Sequence, residues 1–123
     1  LRRLVVIGSI NMDVVSNVAQ FPQPGETIHS RDTSFFPGGK GANQAVAAAS
    51  AGADCVMIGA VGLDPFGHTL MDSLKDRGVG VKSVLSKKWT SGIAIITVNY
   101  FFILLPSNGC NGWQTAGVKA VVG

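Results

Sequence analysis

Charge, cysteine and histidine are all scarce in this 123-residue sequence, in which charged residues make up only 14%. The two cysteines, Cys55 in an apolar run and Cys110 in a Gly/Asn-rich tail, form no C-x-x-C pair and are too few for a disulfide framework. A reducing, cytoplasmic setting is therefore expected. His29 and His68 stand apart, and no spacing of His, Cys and carboxylates points to a metal site. The net charge of +3 is scattered, with pairs at Arg2-Arg3 and Lys87-Lys88 but no basic stripe, so a nucleic-acid partner is not expected. Long apolar runs are also missing. The longest, Ile93 to Leu105, is interrupted by Thr97 and Asn99 and falls short of the ~18 residues of a membrane span. Leu4 to Ile7 is too short for the core of an export signal.

What is plentiful is small and apolar. Apolar residues make up 46% and there are sixteen glycines, the composition of an α/β protein with one domain's worth of chain. Leu4 to Ile7 reads as a strand buried on both faces, ending in Gly8-Ser9. Val14 to Val18 and Glu26 to His29 read as two short strands joined by the Pro/Gly turn Phe21 to Gly25, with Ser34 to Phe36 as a third extended piece. An Ala-rich helix is expected over 41–53 with Gly52 near its end, then a buried strand over 54–60. A second helix follows over 65–77, carrying Phe66, Leu70, Met71 and Leu74 on one face and stopped by Gly78. The order implies a parallel sheet with right-handed crossovers, interrupted by a small antiparallel flap. Residues 89–99 return to an extended pattern that continues over 100–105 with no turn at Asn99-Tyr100, which predicts a turn deleted from the sequence or left out of it. The tail from Pro106 to Gly123 receives no function.

The first group of chemical interest is Gly38-Gly39-Lys40-Gly41-Ala42-Asn43. Paired glycines admit close approach of backbone to a ligand, a helix start offers unpaired N–H groups, and Lys40 and Asn43 add polar side chains. A Walker loop would need Ser or Thr after the lysine, where Gly41 stands; a ligand-free turn and helix cap is the alternative. The second group is Gly8 to Asp13. Asn11 and Asp13, two apart on an extended chain, share a side and can bind neighbouring hydroxyls of a polyol, or else simply end a strand as Asx-turn residues. The third, Gly62 to Gly67, places Asp64 before Pro65 as a helix N-cap, a structural role.

These strings resemble the ribokinase-like sugar kinases, a family that also contains fructokinases and adenosine kinase. The likeness rests on Val6 to Asp13, Phe21 to Thr27, Gly38 to Ala48, Gly59 to Gly67 and Ser91 to Ala94, in order over about residues 4 to 99. The run from Gly38 to Gln44 is specific to the ribokinase branch. The resemblance implies an α/β fold: a ribokinase-like parallel sheet with flanking helices, truncated here, plus a small β lid within about 14–36 and 91–105. It implies that Asn11, Asp13, Gly38, Gly39, Lys40 and Asn43 hold sugar hydroxyls, with Ala94 on a lid strand, and that the lid pairs two subunits in a homodimer. The full-length family enzyme would use ATP and Mg2+ to phosphorylate the 5-hydroxyl of D-ribose. The family's catalytic aspartate, in a downstream Gly-Ala-Gly-Asp-like motif, has no counterpart in this chain, nor has its Asn-x-x-Glu motif. The chain alone is thus expected to bind sugar without turnover and to hold neither ATP nor metal. Rival readings are a non-catalytic sugar-binding or dimerisation fragment, and a kinase for fructose, deoxyribose or a nucleoside.

Overall fold

The computed structural model describes residues 3–99 and the strand 119–122. Along the chain run β1 (Leu4–Ile7), β2 (Asn11–Val18), β3 (Asp32–Gly38), α1 (Lys40–Ser50), β4 (Cys55–Gly62), α2 (Pro65–Asp76), β5 (Gly80–Lys87), β6 (Gly92–Asn99) and β7 (Lys119–Val122). The chain divides into two compact units, one of Leu1–Asp13 with Phe36–Ile93, the other of Val14–Phe35 with Ala94–Gly123.

The first unit is built on a parallel sheet in the order β1-β4-β5. On β4 the alternation of a strand turns Cys55, Met57 and Val61 inward while Ile58 and Ala60 stay exposed. α1 packs on β1 and β4, α2 on β4 and β5. Ala42 and Ala45 of α1, Leu70 and Leu74 of α2 and the inward residues of β4 form a single core cluster, which places both helices on the same face of the sheet. The small alanines allow α1 to lie close against the strands.

Both expected helices are present, and Gly52 and Gly78 follow them at φ 90° and 80°, backbone that side chains rarely adopt. Asp64 caps α2 as expected, its Oδ1 accepting from the Gly67 amide at 2.7 Å, with Pro65 in the first turn.

Several expectations need correction. β1 is not buried on both faces: Leu4, Val5 and Ile7 are exposed, Ile7 by 77%, and Val6 is partly buried against the core. β1 is an edge strand among the described residues, and its register sets Val5 and Ile7 beside Val56 and Ile58, away from the helices. β4 is likewise buried on one face rather than two. Glu26 to His29 forms no strand. Glu26 instead closes the Pro/Gly turn, its amide donating to the Gln23 carbonyl at 2.9 Å and its Oε2 accepting from the Gln23 amide at 2.7 Å. The extended piece is β3, which takes in Ser34 to Phe36. β5 was not foreseen, because Lys82, Ser83 and Ser86 break its apolar pattern; pairing with β4 makes it a strand.

The second sheet runs in the order β3-β2-β6-β7. Within the second unit the Arg31 amide donates to the Asn17 carbonyl at 2.7 Å, Ser16 and Thr33 hydroxyls meet at 3.1 Å, and the Asn17 carboxamide donates to Asp32. β6 ends at Asn99 and pairs antiparallel with β7, Ala94 opposite Val122. Tyr100, the continuation over 100–105 and Cys110 lie outside the described residues, as do the turn at Asn99-Tyr100 and most of the tail. Among the described residues no helix is long and apolar enough to cross a membrane.

Candidate functional site

The chain leaves β1 at Ile7, turns through Gly8 and Ser9, and enters β2 at Asn11. The turn lies against the start of α1. A Cβ on Gly41 would come within 2.7 Å of the Gly8 backbone and 2.9 Å of the Met57 methyl, so only glycine allows this approach. Gly39 completes the seat at φ 99°, where a Cβ would lie 2.6 Å from the Ser9 carbonyl oxygen and 2.9 Å from the Asn11 amide nitrogen.

Ser9 then changes what the helix start can do. Its hydroxyl accepts from the Lys40 amide at 3.1 Å and its carbonyl accepts from the Ala42 amide at 3.0 Å. Two of the N–H groups expected to face a ligand are therefore spent on the protein itself. The Lys40 side chain and Asn43 remain exposed on the first turn of α1. Ser9 was not singled out from the sequence; the signal available was a hydroxyl at the end of a strand, one loop away from a helix with no side-chain cap of its own.

On β2, Met12 is only 2% exposed and belongs to the core, which turns its neighbours Asn11 and Asp13 to the other face, each partly buried. Each faces a glycine. The Asp13 carboxylate lies over the α-carbon of Gly38, where a Cβ would sit 2.7 Å from the Asp13 carboxyl carbon. The Asn11 Oδ1 lies over Gly92 in the same manner, with the carboxamide carbon 3.3 Å from a Cβ placed there. These residues all belong to the first unit. Any side chain at 38 or 92 would push the polar group from its place.

Of the residues singled out from the sequence, Asn11, Asp13, Gly38, Gly39, Lys40 and Asn43 are thus brought together in the first unit, around the Ser9 turn. Ala94, 8% exposed on β6, belongs to the second unit. Gly92 is an addition; the signs were its place two residues before Ala94 and its membership of the string Ser91 to Ala94 that carries the family likeness. A cavity of about 210 Å³ in the first unit is lined by Gly38 and Asn43 with Phe36, Leu70, Leu74 and Arg77, among others, but not by Asn11, Asp13 or Lys40. Asn11, Asp13 and Lys40 therefore stand outside it, while Asn43 lies at its wall.

A second polar knot ties α2 to the segment before β6. Asp64 Oδ2 accepts from the Ser91 amide at 2.7 Å and Oδ1 from the Ser91 hydroxyl at 2.8 Å, while Ser91 Oγ accepts from the Gly62 amide at 2.9 Å. The Ser91 amide, the Gly67 amide and the Ser91 hydroxyl together hold the Asp64 carboxyl below its ordinary pKa. Among the described residues no group of three or more His, Cys, Asp or Glu could hold a metal ion.

Residues 1–114 match the model of the pfkB family carbohydrate kinases. The chain is 44% identical to the ribokinase of Lactococcus lactis over 99 residues, which is 80% of this chain and 33% of that protein. It is 41% identical to the ribokinase of Schizosaccharomyces pombe over 128 residues, 96% of this chain and 40% of the relative. Among solved structures it is similar to ribokinase from Cryptococcus neoformans in complex with ADP, with a TM-score of 0.77 and 30% identity over 98% of this chain and 34% of that one. The Arabidopsis thaliana ribokinase complexed with ribose and ATP gives 0.78 and 27% over 98% and 35%. The chain thus spans roughly a third of these relatives. A family match over nearly all of the sequence, joined to a parallel α/β sheet with helices, makes the chain a member of the pfkB family of carbohydrate kinases.

Proposed function

We propose that this chain is the sugar-holding part of an ATP-dependent kinase that phosphorylates the 5-hydroxyl of D-ribose. The observation that carries the reading is the pairing of Asn11 and Asp13 with glycines at 92 and 38 beside the Ser9 turn. A carboxylate accepts two hydroxyl protons in fixed geometry, and a carboxamide both donates and accepts, which is what a ring of neighbouring hydroxyls requires. Lys40 and Asn43 supply further donors from the first turn of α1. Ser9 occupies two of the amides that a phosphate would use, and this favours a neutral polyol over a phosphate at the loop.

Ribokinases similar to this chain include one crystallised with ribose and ATP, which supports ribose as the acceptor and ATP as the donor. Phosphoryl transfer needs an oriented acceptor, neutralisation of developing charge and a base for the attacking hydroxyl. The residues here fit the first task, and we assign the binding of ATP and Mg2+ to parts of the full-length protein beyond this chain. We assign residues 14–36 and 91–99, the described part of the lid expected over 14–36 and 91–105, to a β lid carrying Ala94, and the lid joins two chains in a cytoplasmic homodimer.

Calorimetric titration of the chain with D-ribose, D-fructose, 2-deoxyribose and adenosine tests the reading. Ribose is expected to bind most tightly; preference for another compound reassigns the acceptor, and no binding by any of them overturns the sugar-holding role. An ATP-coupled assay of the same preparation is expected to show no turnover.

A further inference from the structure

Gly92 seats the Asn11 carboxamide, and the backbone one residue earlier is held by a carboxylate on another element. Ser91 is buried, 4% exposed, in a segment that lies directly across Gly62: a Cβ there would overlap the Trp89 carbonyl and the Ser91 amide. Asp64 grips the segment through both the amide and the hydroxyl of Ser91, and the hydroxyl in turn accepts from Gly62. A helix cap alone would need only the bond to Gly67. The other bonds of Asp64 go to a residue 27 positions away, and they fix the point at which the chain enters β6.

We propose that Asp64 is a positioning residue for sugar binding, acting through Ser91 and Gly92 to set the Asn11 carboxamide. The inference deepens the sugar-holding reading and rests on it for the identity of the ligand. The chain of contact is short: Asp64 to the amide and the hydroxyl of Ser91, the peptide bond to Gly92, and the Gly92 α-carbon against Asn11 Oδ1. Both oxygens of Asp64 are required, since Oδ1 faces two donors and Oδ2 faces the Ser91 amide. Asparagine at 64 keeps an oxygen for the cap but turns an N–H donor towards one of the donors, so it separates the cap from the grip.

The test uses the 123-residue chain and two readouts, the side-chain amide resonance of Asn11 in 15N-labelled protein and the affinity for D-ribose. The resonance is assigned by its loss in Asn11→Ala. Asp64→Asn and Ser91→Ala are each expected to shift it and to weaken ribose binding by about tenfold, the loss of roughly one charged hydrogen bond. The double variant is expected to be scarcely worse than either single one, as for residues acting through one contact. An Asn11 resonance unmoved in both single variants overturns the proposal, as does full additivity in the double variant. If Asp64→Asn fails to fold, Ser91→Ala carries the same decision, since it leaves the cap on Gly67 intact. If the variants shift the resonance but the parent chain binds no ribose, the positioning of Asn11 is upheld and the sugar reading is overturned instead.

Discussion

At Gly38 and Gly92 the missing side chain leaves room for a polar group on the adjacent strand. Gly38→Ala would put a methyl group into the Asp13 carboxylate, and because that carboxylate is only partly buried it would move rather than unfold the strand. Ribose affinity is therefore expected to fall at least about tenfold with little change in the denaturation midpoint, a split that calorimetry and urea titration together can read. Asp64 carries a separate, pH-dependent prediction. Its carboxyl is held below an ordinary value of 3.8, so its contribution to stability is complete above that pH and is lost as the pH falls through the lower folded-state value. The stability gap between the parent chain and Asp64→Asn should accordingly be constant from neutral pH to about 5 and close in more acid solution. A gap that widens on acidification would contradict the assignment. Asn11, Asp13 and Lys40 were legible as residue types at a spacing. The glycine opposite each polar group was not, because sequence does not reveal which strands become neighbours.

At the level of elements, the helices were the most readable parts. Leu70 and Leu74 repeat at helical spacing, and Pro65 and Gly78 mark the two ends of their helix. Leu74→Ala, which empties a side chain only 2% exposed in the core, is expected to cost about 2–5 kcal/mol in urea denaturation. The start of α1 depends on a different residue. Since Gly39 offers no side-chain cap, Ser9 substitutes for one from across the loop, and Ser9→Ala should cost about 1 kcal/mol in the same experiment. The strands were harder. β5 was missed because its lysines and serines sit on a half-exposed strand defined by its partner β4, and one strand of the flap, Glu26 to His29, is absent because Glu26 folds back to its own turn instead of pairing. In both cases a tertiary or side-chain hydrogen bond outweighed the local pattern.

For the whole molecule, the division of labour follows from what the chain contains. Its first unit builds one helix-covered face of a parallel sheet and leaves Val5, Ile7, Ile58 and Leu85 exposed. The Ser9 turn, where β1, β2 and α1 converge, gathers the polar residues proposed to hold an acceptor sugar. The chain matches the family model over residues 1–114 and spans about a third of the related kinases. With Ser9 on two of its amides, the glycine loop is proposed to receive hydroxyls and not phosphate. The most direct test of that claim is a calorimetric titration of the chain and its Asp13→Ala variant with D-ribose. The account predicts single-site binding by the parent chain and its loss in the variant, with the fold retained. Equal binding by both, or none by the parent, would contradict it.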